Sequence, residues 1–245
     1  MLRLKGVWRI AKVAGVDVNI HWSFSFVILW MVWQGLFGYR ELPGVIFISV
    51  TLLLLFGCVA LHELGHALVA RRLDVVVKNI IILPIGGLAQ VQSLPDKPLH
   101  DLLIATAGPL VNLALATGAV FSLVILGKLN FLLGFFASPD TVTEAILETP
   151  FHRDAFAGLI IFMLMVNGLL FAFNLIPAFP MDGGRILRAL LGMFLPYGQA
   201  TWIALVVGQL LAILILIAAF RFRSFALLLV GGFVLAAGLF AKFGR

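Results

Sequence analysis

Charge is scarce in this chain: Asp, Glu, Lys and Arg together make up 11% of its 245 residues, less than half of the roughly 25% usual for a soluble domain. A water-facing surface cannot be built from so few ionic groups, and the shortage of polar residues excludes a disordered chain as well. Cysteine is nearly absent. Its single representative, Cys58, rules out an internal disulfide and any cysteine-cluster metal site. Acids are outnumbered by bases, 11 to 17, for a formal charge of +6. The bases are scattered at the ends of apolar runs, so they read as anchors at a membrane surface and not as a nucleic-acid site. No small-residue cleavage site follows the first apolar run, so a retained first span is expected. No repeat or polar linker divides the chain.

What the chain has in excess is apolar sequence: 62% of its residues are hydrophobic, with a mean hydropathy of +1.14. A helix crosses a bilayer with roughly 20 apolar residues. Six stretches qualify, at about 20–39, 42–70, 102–127, 155–181, 197–220 and 224–241, which predicts a single all-α polytopic membrane domain of six transmembrane helices. Residues before 197, around Gly192 and Pro196, suggest a short interfacial helix. Residues 79–92 (NIIILPIGGLAQVQ) carry two β-type runs around Pro84 and the Gly86-Gly87 pair, which predicts a short membrane-associated β-hairpin after span two. Residues 128–154 mix phenylalanines with acids and are expected to lie along the membrane surface. Twelve of the 17 bases fall on one side if the N-terminus is inside, which favours cytoplasmic N- and C-termini.

Ionisable residues inside a span are costly and so point to function. The end of span two carries three in LHELGHALVA: His62, Glu63 and His66. On a helix, positions i and i+4 share a face one turn apart. Two imidazoles so placed can hold one zinc, with the intervening glutamate beside it as general base. In a chain of this composition the spacing arises by chance about once in 600 sequences. A catalytic zinc needs a third protein ligand. Cys58 lies eight residues from His66, roughly 12 Å of helix rise, so one helix cannot supply all three ligands, and Cys58 reads as a packing residue. Asp182 is better placed. Spans two and four run in the same direction, and His66 and Asp182 each lie roughly 5–8 Å inside flanking arginines. The competing reading of Asp182 is a helix N-cap. His21, His100 and His152 sit at span boundaries, where interfacial side chains are common.

These motifs resemble the site-2 protease family of intramembrane zinc metalloproteases, peptidase family M50. The likeness is carried by LHELGH (61–66), LPIGGLAQV (83–91), AGPLVN (107–112) and NLIPAFPMDGGRILRAL (174–190), which follow the family's order across most of the chain. Met181 stands where the family often has leucine. The wording is that of the prokaryotic six-span branch, whose members often carry CBS domains; no CBS or PDZ module is visible in these 245 residues. The resemblance implies that His62, His66 and Asp182 bind one zinc ion, that Glu63 is the acid/base residue, and that Asn174 holds substrate or stabilises an oxyanion. Asn112 and Asn167 read as polar groups bonding between helices.

The implied reaction is hydrolysis of peptide bonds in or near the transmembrane segments of single-span substrates, as in regulated intramembrane proteolysis. A substrate helix must unwind to be cut, and its freed backbone then needs partners. The hairpin offers either an edge for strand addition or a re-entrant plug for the cleft. Alternatives from other classes are a membrane zinc transporter or channel, which needs ligands reachable from both faces, and a catalytically silent scaffold.

Overall fold

A computed structural model describes residues 6–38, 42–84, 86–91, 97–130, 132–133 and 155–243. The chain begins with two antiparallel strands, β1 (Val7–Val13) and β2 (Val16–His21). A 3-10 turn at Trp22–Phe24 leads into a short helix, α1 (Ser25–Trp33), which runs on as a π-helical turn at Gln34–Gly38. The long helix α2 (Leu42–Arg72) follows, then strands β3 (Val77–Leu83) and β4 (Gly86–Val91). Helices α3 (Pro98–Ile125), α4 (Ala155–Asn174), α5 (Asp182–Gly192), α6 (Tyr197–Arg221) and α7 (Phe225–Phe243) complete the chain.

Among the described residues, four helices are long and apolar enough to cross a membrane: Val45–Arg72, Pro98–Ile125, Phe156–Asn174 and Tyr197–Arg221. The first and last expected spans correspond to shorter apolar helices, Trp22–Trp33 and Phe225–Leu239. At 1.5 Å per residue the nine residues of α1 rise only about 14 Å, roughly half the hydrocarbon thickness.

Two further expectations are corrected. The predicted hairpin forms, but as half of a four-stranded sheet in the order β1-β2-β3-β4, with β2 and β3 parallel. The fold is therefore mostly helical and not all-α. Residues 16–21 explain the difference: Val16, Val18 and Ile20 alternate with Asp17, Asn19 and His21, a period of two that puts one face on the core. Val16, Val18, Ile80 and Ile82 pack on Ala67 of α2, with Phe56, Ala60 and Leu64 beside them. Span four ends at Asn174, short of the expected 181. Residues 175–181 leave the helix because Pro177 and Pro180 cannot continue it. The 128–154 connection falls largely outside the described residues, as does His152.

Helix α3 sits between α2 and α4 and also packs against α5. Its approach to α2 is close because small residues line it: a Cβ on Gly65 would lie 2.9 Å from the Ala107 carbonyl oxygen. In lipid, such small-residue contacts let backbones meet where no hydrophobic force drives association. A second cluster of Ala178, Met181, Ala212 and Val234 ties the segment after α4 to α6 and α7.

Candidate metal centre

Two elements bring the three expected ligands together. His62 and His66 occupy successive turns of α2, their rings nearly perpendicular with centroids 4.7 Å apart. Asp182 opens α5, where Met181 is the N-cap residue. The competing N-cap role for Asp182 is thus excluded, and its carboxylate turns to the imidazoles instead. The local backbone demands the Asp-Gly-Gly sequence. A Cβ on Gly183 would collide with the Leu175 and Ile176 carbonyl oxygens, and one on Gly184 would lie 2.7 Å from the Ala178 carbonyl carbon.

His66 Nε2 lies 3.1 Å from His62 Nε2 and 3.0 Å from Asp182 Oδ2, and His62 Nε2 lies 3.2 Å from the same oxygen. All three side chains are buried. Their other polar atoms decide what the converging atoms are. His66 Nδ1 is 2.6 Å from the Ile104 carbonyl oxygen, which can only accept, so Nδ1 carries the proton. His62 Nδ1 donates in the same way to Asn112 Oδ1 at 2.5 Å. Each neutral ring then presents a bare Nε2. Asp182, a carboxylate ionised at neutral pH in the ordinary way, brings a third acceptor atom, Oδ2, to the same point.

Three acceptors thus converge in a buried site, an arrangement that requires a positive partner between them. A tetrahedral zinc with bonds of 2.0–2.1 Å separates its ligand atoms by about 3.3 Å, close to the spacings found. The residues present therefore fit a single zinc ion. His62, His66 and Asp182 form the one group of three or more potential metal ligands among the described residues. A Cβ on Gly108 would overlap the His66 ring and lie 2.8 Å from His62 Cε1, so the absent side chain leaves room for the rings.

The site lies in a cavity of about 460 Å³ whose lining includes Glu63, Asn174, Gly87 and Arg185 beside the three ligand residues. Glu63 is half-buried. Strand β4 crosses it at backbone distance: a Cβ on Gly87 would lie 2.9 Å from Glu63 Cδ and Oε1. Asn174 donates through Nδ2 to the Leu170 carbonyl oxygen at 2.9 Å, one turn back on α4. Its second N–H and its oxygen remain for other partners.

The sequence profile of peptidase family M50 matches residues 50–216, from within α2 to within α6. The chain belongs to this family. A zinc metalloprotease of Methanocaldococcus jannaschii is 34% identical over 226 residues, which are 92% of this chain and 58% of that protein. Stage IV sporulation protein FB of Bacillus subtilis is 28% identical over 61% of this chain and 43% of its own. The solved structure of a site-2 protease from M. jannaschii superposes with a TM-score of 0.58 at 30% identity, covering 98% of this chain and 95% of that one. The chain spans less than two thirds of the length of these curated M50 relatives. Membership of M50 and the four apolar helices make it an integral membrane protein.

Two parts of this M50 site were not legible as functional in the sequence. Asn112 read only as interhelical glue, yet it holds the ring of His62. Gly108 carried no signal beyond its place in AGPLVN. Cys58 is buried as expected of a packing residue. His21 lies at a segment boundary, with Nδ1 2.8 Å from the Ser23 hydroxyl.

Proposed function

We propose that the chain is an intramembrane zinc metalloprotease that hydrolyses peptide bonds in or near transmembrane segments of single-span substrates, as in regulated intramembrane proteolysis. The observation that carries this reading is the convergence of two Nε2 atoms and a carboxylate oxygen in a cavity that Glu63 also lines, on a helix apolar enough to cross a bilayer. His62, His66 and Asp182 hold the metal. When bound, zinc supplies Lewis acidity toward the scissile carbonyl and makes water acidic enough to attack near neutral pH. Glu63 takes the proton of the attacking water and passes it to the leaving amine. Asn174 turns its spare N–H toward the developing oxyanion, a role supported by its place in the same lining.

The substrate arrives unwound. Strand β4 is an edge of the sheet, with β3 on one side, and its Gly87 lies against Glu63. An extended substrate segment added to that edge would satisfy its backbone groups and run past the cavity. The topology we favour is a single domain of six spans in a prokaryotic cell membrane, both termini cytoplasmic and the site near the cytoplasmic face. In it α1 and α7 join the four longer helices.

Purified wild type and Glu63→Gln, in detergent or liposomes, test the assignment. Equal zinc content with cleavage of single-span substrates lost in the variant is the expected result. Equal cleavage by both would remove Glu63 from the chemistry, and a wild type without zinc would remove the metal.

A further inference from the structure

A line of buried amides leads away from the centre into the protein. His62 Nδ1 meets Asn112 Oδ1, and Asn112 Nδ2 donates to Asn167 Oδ1 at 2.8 Å. Asn167 Nδ2 then donates to the Met163 carbonyl oxygen at 2.8 Å and to Cys58 Sγ at 3.2 Å. Asn112 and Asn167 are both fully buried. The relay joins α2, α3 and α4.

The line has one direction. A backbone carbonyl only accepts, so the amino group of Asn167 must face Met163, and its oxygen must face Asn112. That turns the amino group of Asn112 to Asn167 and its oxygen to His62. A proton on His62 Nδ1 follows, and with it a lone pair on Nε2, the atom that faces His66 and Asp182. Reversing either amide would set two N–H groups or two oxygens against each other in a buried place and leave them unsatisfied. A reversed Asn112 would also push the His62 proton to Nε2 and take that lone pair from the metal.

We propose that Asn112 and Asn167 are positioning residues that together set the zinc affinity of the site, by transmitting the orientation of the Met163 carbonyl to the His62 ring. The proposal rests on the zinc-site reading above. Asn112 acts on His62 directly, and Asn167 acts only through Asn112. Partners of this kind are worth about 10–100-fold in metal affinity.

Zinc affinity is measured on the full chain in detergent by competition with a chromophoric chelator, with the melting temperature of the zinc-free form read in parallel. Asn112→Leu is expected to lose about 10–100-fold in affinity. Asn167→Leu should lose a smaller factor, because Asn112 keeps its oxygen but is free to turn. The double variant should match Asn112→Leu alone, since both substitutions break one path. Asn112→Asp keeps an acceptor for His62, so it should hold zinc within about threefold of wild type even as it loses its bond to Asn167. It keeps the test decisive if the leucine variant fails to fold. Lower melting temperatures with wild-type zinc affinity throughout, additive affinity losses in the double variant, or an Asn112→Asp affinity as poor as that of Asn112→Leu would each overturn the relay. A wild type that binds no zinc would overturn the metal site and the relay with it.

Discussion

A single methyl group at either of two glycines is expected to separate metal binding from proton transfer. Gly108→Ala places a carbon inside the space of the His66 ring and against His62, so zinc content should fall by at least about tenfold, and activity with it. Gly87→Ala presses on Glu63 instead and leaves both imidazoles untouched. Its zinc content should equal wild type while cleavage drops by more than about tenfold, the size of a misplaced general base. Metal analysis and a turnover assay on both variants check the pair; zinc lost from Gly87→Ala would contradict it. At this scale the sequence was most informative where chemistry demands particular atoms. The potential metal ligands His62, His66 and Asp182 were legible because few residue types can ligate zinc. Gly108 was not, because what matters there is an empty volume that only the packed rings define.

Among the elements, α5 is held by a buried knot. Asp101 in the first turn of α3 is fully buried and accepts from Arg188 Nη2 at 2.6 Å, Arg188 Nε at 3.2 Å, Arg185 Nη2 at 3.1 Å and the Tyr197 hydroxyl at 3.0 Å. The Arg188 guanidinium also lies over the rings of Phe179 and Tyr197, 5.5 and 5.0 Å from their centroids. Three segments of chain therefore share one carboxylate, and α5, which begins with Asp182, is fixed by it. Asp101→Asn leaves the Arg188 charge buried without its partner. Loss of one partner of such a pair costs about 3–5 kcal/mol, so unfolding in detergent should shift by that order, and an unchanged melting curve would deny the knot its role. Strand β4 gives a separate expectation: proline or a charge at positions 88–91 should impair cleavage while zinc stays bound, and normal turnover would remove strand addition. The elements themselves were partly legible. The 79–92 hairpin announced itself through its Gly-Gly pair, and the long helices through their length. The strand at 16–21 has a clear alternation, but the apolar run that follows hides it. Nothing in the sequence pairs that strand with β3, because the partner lies some 60 residues away and the pairing is a tertiary choice.

At the scale of the whole molecule, the metal centre has walls of different character. The backbone of Gly87 in the sheet lines it, and so does Arg185, whose side chain is about a quarter exposed and whose Nη1 lies 3.9 Å from Asp182 Oδ1. A guanidinium in contact with hydrocarbon would be costly, which supports the proposed placement of this lip of the cavity toward water. On that placement the cavity has one door to water. In sealed vesicles carrying the protein in one orientation, a charged chelator that cannot cross lipid should strip zinc from one compartment and leave it intact from the other, whereas a neutral permeant chelator should succeed from both. Equal stripping by the charged reagent from either compartment would mean that the bilayer offers the metal no shelter at all.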